Sequence, residues 1–298
     1  MTSTPEPTSG TGARIWGQGT PGGSIAAALL EARAKISPGD ARVLLRHVLG
    51  CTTAYLEAHR DDVLPMDAAT FFSDLLRRRA AGEPVAYLTG WREFYGRAFV
   101  VTPGVLIPRP ETELLVEVAI ARLRGIPSPL LLELGTGSGC IAITLALELA
   151  GAEITANDVS PEALALAGRN AARHGVVIRF LHSDWFEALG DVRYHLIVAN
   201  PPYIASGDPH LRQGDLRFEP APALASGSDG LAAIRRIIAG SAQHLLPGGE
   251  LWFEHGYDQG EPAQKLLEEA GFADIEQHRD LAGILRVSGG RLTMEQSP

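Results

Sequence analysis

Leu131-Leu132-Glu133-Leu134-Gly135-Thr136-Gly137-Ser138-Gly139-Cys140-Ile141-Ala142 is the stretch that decides how this chain folds. An apolar strand runs into alternating glycines and then straight into an apolar helix. Glycine reaches positive φ and lets a ligand approach the backbone, while a helix N-terminus presents free N–H groups. The glycines alone fit a plain strand–helix turn as well as a loop under a nucleotide-like ligand. The neighbouring residues separate the two.

The spacing is not that of the dinucleotide fingerprint GxGxxG, because the third glycine comes one residue early. Glu133 beside the loop would repel pyrophosphate and suits a cation. S-adenosylmethionine, with an ammonium, a sulfonium and no phosphate, fits such a loop. The structural alternative for Glu133 is a carboxylate that caps nearby backbone N–H groups.

Outward from the loop, residues 129–290 alternate strand and helix as a parallel α/β sheet does. Strands are expected over Leu130–Leu134, Glu153–Asn157, Val176–Leu181, Leu196–Ala199 and Glu250–Phe253, with Asp274–His278 and Ile284–Val287 closing an edge. Helices fit Cys140–Leu149, Pro161–Arg173, Leu231–Leu246 and Glu261–Ala270. Asp158 ends the second strand, where an acid accepts from both ribose hydroxyls of a nucleoside. An N-cap for the helix at Pro161 is its structural alternative. After the third strand, in Ser183-Asp184-Trp185, Asp184 is placed to accept from an exocyclic amine and Trp185 to offer a flat wall to adenine. Trp185 reads equally as plain core.

Asn200-Pro201-Pro202-Tyr203 follows the fourth strand. Proline pairs mark turns, but this one sits at a strand C-terminal end, opposite the glycine loop. A planar amide or aryl amine is a weak nucleophile because its lone pair is delocalised. The Asn200 side-chain oxygen and the Pro201 carbonyl can accept its two N–H groups and so orient that lone pair. Proline stiffens the segment that holds the carbonyl, and Tyr203 can pack on a flat substrate group.

Upstream the texture changes. Ser24 is expected to cap a helix Ile25–Arg33, Ser37-Pro38-Gly39-Asp40 a second carrying Val43, Leu44, His47 and Val48, and Asp67 a third carrying Phe71, Phe72, Leu75 and Leu76. Arg77, Arg78 and Arg79 fall where a helix C-terminus favours cations. The expected organisation is a disordered tail over 1–23, rich in Gly, Ser, Thr and Pro, and a helical substrate-recognition domain over 24–84. A hairpin linker over 85–108 follows, its turn near Gly96, and then the catalytic domain over 109–291. Pro110 is placed to open a helix over Glu111–Arg122.

The whole chain has 298 residues, 45% hydrophobic and 20% charged, with a net charge of −9. That is globular composition, and the acidic balance disfavours a phosphate-backbone partner. Cys51 and Cys140 make no disulfide framework. No apolar run reaches membrane length and the N-terminus lacks a signal-peptide layout, so a soluble cytoplasmic monomer is the expectation. None of the nine histidines sits in HExxH or beside a cysteine, which gives metal catalysis no support. Gly137-Ser138-Gly139 does not match a nucleophile elbow.

Together these residues resemble the class I methyltransferases, and more closely the HemK/PrmC family of release-factor glutamine methyltransferases. Beyond the loop and Asn200–Tyr203, the likeness includes Gly82-Glu83-Pro84-Val85-Ala86-Tyr87-Leu88-Thr89-Gly90, Leu106-Ile107-Pro108-Arg109-Pro110-Glu111-Thr112-Glu113 and Phe218-Glu219-Pro220. It spans about residues 24–290. It implies a Rossmann-like sheet with helices on both faces, and methyl transfer from S-adenosylmethionine, leaving S-adenosylhomocysteine, with no metal. The acceptor it implies is the glutamine amide in the Gly-Gly-Gln tip of peptide chain release factors. By similarity Gly135, Thr136, Gly137, Ser138, Gly139, Glu133, Asp158, Asp184 and Trp185 line the cofactor. Asn200 touches both ligands, and Pro201, Pro202 and Tyr203 surround the glutamine. Three rivals remain: a ribosomal-protein glutamine as acceptor, an amino group of a nucleic-acid base, and a silent nucleoside-binding module.

Overall fold

A computed structural model describes residues 23–293. The tail expected over 1–23 lies outside the described residues except for Gly23, whose carbonyl accepts the Leu64 N–H at 3.0 Å. The chain divides into two compact units between Trp91 and Arg92.

The first unit is helical: α1 (Ile25–Ala32), α2 (Pro38–Leu49), α3 (Thr53–Ala58), α4 (Met66–Ala80) and α5 (Val85–Thr89). Local chemistry starts and stops them. Ser24 Oγ accepts from Ala27 N at 3.2 Å, Ser37 Oγ from Asp40 N at 3.1 Å and Thr52 Oγ1 from Tyr55 N at 3.2 Å, each satisfying a first-turn donor. Asp67, expected as a cap, instead lies in the first turn of α4, which starts one residue earlier behind Pro65 with no side-chain cap. Its charge faces the positive end of the helix instead. Leu44, Leu45, Leu56, Phe72 and Leu75 form the core, and Arg79 Nε ties α4 to Asp40 of α2 at 2.8 Å. The residues read as the start of a linker, Val85–Thr89, form α5, and Leu88 joins that core.

A hairpin of β1 (Trp91–Phe94) and β2 (Arg97–Val100) turns through Tyr95 and Gly96, at φ 52° and 68°. Two left-handed central residues match the right-handed strand twist. The helix expected from Glu111 is split: Pro110–Thr112 is a short 3-10 turn and α6 runs Glu113–Leu123.

The remaining elements are β3 (Leu130–Leu134), α7 (Cys140–Glu148), β4 (Glu153–Asp158), α8 (Pro161–His174), β5 (Arg179–His182), β6 (Tyr194–Ala199), α9 (Ala232–His244), β7 (Leu245–Glu254), α10 (Gly260–Glu269), β8 (Phe272–Arg279) and β9 (Leu285–Leu292). β5 starts later than the apolar run at Val176 suggests. The Val176 N–H is still bonded to Ala171 O at 3.1 Å as part of the α8 terminus, and Val177 is exposed.

The seven strands lie in the order β5-β4-β3-β6-β7-β9-β8, parallel except for β9, which is antiparallel to both neighbours. Alternate side chains feed two cores. Leu131, Leu196 and Val198 pack with Leu115 of α6 and Ile141 of α7, while Leu132, Leu134 and Ile197 pack with Ile234 and Ile237 of α9 and Leu267 of α10. The strand order reverses between β3 and β6, and a crevice at the C-terminal ends of such strands is where open α/β sheets bind ligands.

Candidate active site

The glycine loop leaves β3 at that crevice. Gly135, Gly137 and Gly139 all have positive φ, at 72°, 55° and 81°. At Gly139 a Cβ would stand 2.9 Å from Ile143 Cδ1 and 3.1 Å from Ala167 Cβ, so α7 and α8 close together only over a glycine. The loop is shaped by β4. Thr136 N donates to Asn157 O at 2.8 Å, Gly135 N to Asn157 Oδ1 at 3.4 Å and Gly137 N to Asp158 Oδ2 at 2.9 Å, while Gly139 N turns back to Thr136 O at 2.8 Å. These donors are committed within the protein. Together with Glu133 and Asp158 they make the loop a poor cradle for phosphate and a suitable one for a nucleoside cation.

Glu133 is buried; its Oε2 accepts from Thr136 Oγ1 at 2.6 Å and Ala142 N at 3.1 Å. It therefore caps the loop and α7, the structural alternative for this residue. Burial pushes its pKa up to about 8, against the pull of those two donors. Its Oε1 is buried without a hydrogen-bond partner. Ser138 is also buried, and its carbonyl accepts from Asn170 Nδ2 at 2.8 Å.

Asp158 lies across the loop. Oδ2 holds Gly137 N, and Oδ1 accepts from Ser160 N at 2.9 Å. Ser160, not Asp158, caps α8. Burial raises the Asp158 pKa and the two N–H donors oppose that. A carboxylate has about four lone-pair sites, so two remain for a diol. Trp185, at φ 51°, has its carbonyl fixed by Asn157 Nδ2 at 2.6 Å and Ser183 Oγ at 3.0 Å. Its ring lies 3.7 Å from where a Gly135 Cβ would be, so it walls the loop. Asp184 is drawn the other way, to Arg236 of α9 at 3.0 Å.

Asn200 follows β6, next to the loop strand. Its Nδ2 donates to Thr112 Oγ1 at 3.0 Å, which leaves Oδ1 as the acceptor. Tyr203 is held by its hydroxyl, which donates to Glu254 Oε1 at 3.0 Å, and by its carbonyl, which accepts from Gln259 Nε2 at 2.9 Å. Burial, and then the Glu254 charge, push the Tyr203 pKa up, so the phenol stays protonated. Glu219, its side chain fully enclosed, accepts from Ile107 N at 3.0 Å and pairs with Arg109. That pair joins the segment before α6 to the long loop after Tyr203.

Sequence reading missed Asn157, Asn170, Thr112 and Glu254. Each is a polar side chain at the end of, or within, an apolar element, and such a residue buried needs a partner. That was the available signal. Among the described residues no group of three His, Cys, Asp or Glu could hold a metal ion, and no helix is long and apolar enough to cross a membrane.

A reversed strand order, a phosphate-averse glycine loop and a proline-stiffened asparagine on the adjacent strand define a class I methyltransferase of the S-adenosylmethionine-dependent fold. A 16S rRNA N2 methyltransferase of T. thermophilus, solved with AdoMet and guanosine, shares that fold at TM-score 0.52 and 24% identity, covering 68% of this chain and 49% of its own. The PrmC N-terminal domain matches residues 24–90 and the methyltransferase small domain residues 110–218. The release factor glutamine methyltransferase of Burkholderia pseudomallei is 53% identical over 279 residues, 91% of this chain and 98% of the relative. That of Bordetella pertussis is 54% identical over 254 residues, 85% and 94%. This chain belongs to the release factor glutamine methyltransferase family.

Proposed function

We propose that this protein methylates the side-chain amide nitrogen of the glutamine in the Gly-Gly-Gln tip of peptide chain release factors, using S-adenosylmethionine. The observation that carries the reading is the Asn200 amide, turned by Thr112 so that Oδ1 accepts. An amide –NH₂ offers two donors, and Asn200 Oδ1 with the Pro201 carbonyl supplies two acceptors. Holding both N–H groups fixes the plane of the amide and aims its nitrogen toward the glycine loop. Tyr203 and Pro202 bound the flat group. Asp158 takes the ribose hydroxyls, and Gly135–Gly139 with Glu133 form the floor of the cofactor site. Trp185 stands at the base, while Asp184 is taken up by Arg236. The bound cofactor supplies an electrophilic methyl on sulfonium. Positioning of this kind is worth up to ~7–11 kcal/mol, and acceptors on the nitrogen stabilise the charge that grows there. The alkylated nitrogen is acidic and loses its proton without a dedicated base.

The helical unit is proposed to recognise the release factor, since it carries a packed helical core and none of the residues above. A cytoplasmic monomer acting on protein completes the reading, and a net charge of −9 opposes nucleic-acid substrates. The test is mass spectrometry of release factor after incubation with enzyme and S-adenosylmethionine, expecting one added methyl on the tip glutamine. Asn200→Ala should lose at least ~100-fold in single-turnover rate, the scale of a ~1 Å misplacement, while cofactor affinity changes far less. An unmodified factor, or methyl incorporation into DNA or RNA instead, refutes the reading.

A further inference from the structure

Asn200-Pro201-Pro202-Tyr203 holds two prolines in a row. Proline has no N–H with which to anchor a segment, and its φ is fixed at about −65°. Anchoring therefore falls largely to carbonyls and side chains, and a push at one end of so stiff a segment passes to the other. The carbonyl at the far end, that of Tyr203, accepts from Gln259 Nε2 at 2.9 Å. Gln259 lies in the turn between β7 and α10 and is 7% exposed. Its Oε1 accepts from Gly256 N at 2.9 Å. The amide can face only one way, because a backbone N–H only donates and a carbonyl only accepts. Its Nε2 also lies 3.5 Å from Asp229 O, at the end of the long loop after Tyr203. Glycines make room for these contacts. A Cβ on Gly230 would collide with the Tyr203 carbonyl oxygen and stand 2.6 Å from Gln259 Nε2.

The turn that carries Gln259 is braced from the edge of the sheet. Gly256 O accepts from His255 Nδ1 at 2.9 Å and from Gln259 N at 3.1 Å. With that proton on Nδ1, and with burial holding the ring neutral, His255 Nε2 accepts from Ser288 Oγ of β9 at 2.8 Å. Ser288 Oγ in turn accepts from Gln277 Nε2 of β8 at 2.9 Å. We propose that Gln259 is a positioning residue for methyl transfer. By holding the Tyr203 carbonyl it fixes where the Asn200 and Pro201 acceptors stand, and so where the substrate nitrogen meets the methyl. The inference rests on the glutamine reading and adds to it a group that acts through Tyr203, carried by a turn that the antiparallel edge of the sheet supports.

Gln259→Met keeps the length of the side chain and removes the donor to Tyr203. Gly230→Ala leaves the amide in place and displaces the carbonyl that it holds. The test measures single-turnover methylation of whole release factor by wild type and both variants, with S-adenosylmethionine titrated calorimetrically on the same preparations to give its Kd and the fraction of competent sites. A misplacement of ~1 Å can cost ~100-fold, so the rate constant per competent site should fall at least about tenfold. The cofactor Kd and the KM for release factor should stay near wild type, the pattern of an interaction needed in the transition state. A merely structural role would lower the fraction of competent sites and leave the rate constant of the rest unchanged. That result, or wild-type rate constants in both variants, would overturn the inference alone. If Gln259→Met fails to fold, Gly230→Ala decides the matter through the same carbonyl. A wild-type enzyme inactive on the factor would overturn the glutamine reading, and this with it.

Discussion

Asp158→Ala tests the cofactor site and the shape of the loop together. In the wild type both carboxylate oxygens accept a backbone N–H, from Gly137 and Ser160, each at 2.9 Å. Alanine removes both acceptors. Water reaches these half-buried donors in part, so the loss should lie near the low end of the ~1–3 kcal/mol cost of an unsatisfied donor. At about 2–4 °C per kcal/mol for a unit of this size, the melting temperature should fall by a few degrees. Binding loses more. Two lone-pair sites remain for the ribose hydroxyls, and hydrogen bonds to a charged acceptor contribute about 1.5–3 kcal/mol, or ~10- to 150-fold in Kd at 1.4 kcal/mol per decade. Calorimetric titration with S-adenosylmethionine and a thermal melt on the same preparation read both effects, and the KM for release factor should hold. A variant that melts lower yet binds the cofactor as tightly as wild type would leave Asp158 a loop latch only and refute the ribose assignment.

Three further substitutions probe the frame. Native Glu133, with its pKa raised from an ordinary value near 4.5 to about 8, binds its proton more tightly than the unfolded chain does. Its contribution is therefore present below pH 4.5 and lost as pH rises through about 8. Glu133→Gln should gain on wild type by on the order of a few kcal/mol between pH 5 and 8, and parallel pH–stability curves from urea melts would contradict this. Gly139→Ala combines φ 81° with a Cβ 2.9 Å from Ile143 Cδ1. Strain and overpacking should together cost ~2–5 kcal/mol, and a loss below about 0.5 kcal/mol, the size of a neutral surface change, would count against that geometry. Arg109→Leu strands the enclosed Glu219 carboxylate with Ile107 N as its remaining partner, at about 3–5 kcal/mol. Adding Glu219→Leu should restore part of the stability, and strict additivity of the two changes would show the pair is uncoupled.

The sheet was legible because its signals are local and periodic. Leu130–Leu134 reads as an apolar run closed by glycine, and α8 runs from Ser160-Pro161 to Gly175, a cap at one end and a left-handed stop at the other. Where local signals competed, boundaries moved. Val176 looks like a strand residue but finishes a helix, and Val85–Thr89 looks like a linker until Leu88 is seen in a core. Asn200 and Asp158 were legible as candidates because they sit at strand ends where the topology gathers ligands. Their partners were not. Thr112 is 88 residues from Asn200 and Glu254 is 51 from Tyr203, and no periodicity links positions that meet only after strands order themselves. Glu133 was ambiguous for a different reason, since its sequence admits both a site for a cation and a cap. Thr136 Oγ1 and Ala142 N choose the cap, and they do so because the loop bends back over the strand that carries it. A side chain so enclosed acts through the loop it holds. The groups left open at the crevice, Asp158 and Asn200, are those whose remaining acceptor capacity no hydrogen bond among the described residues takes up.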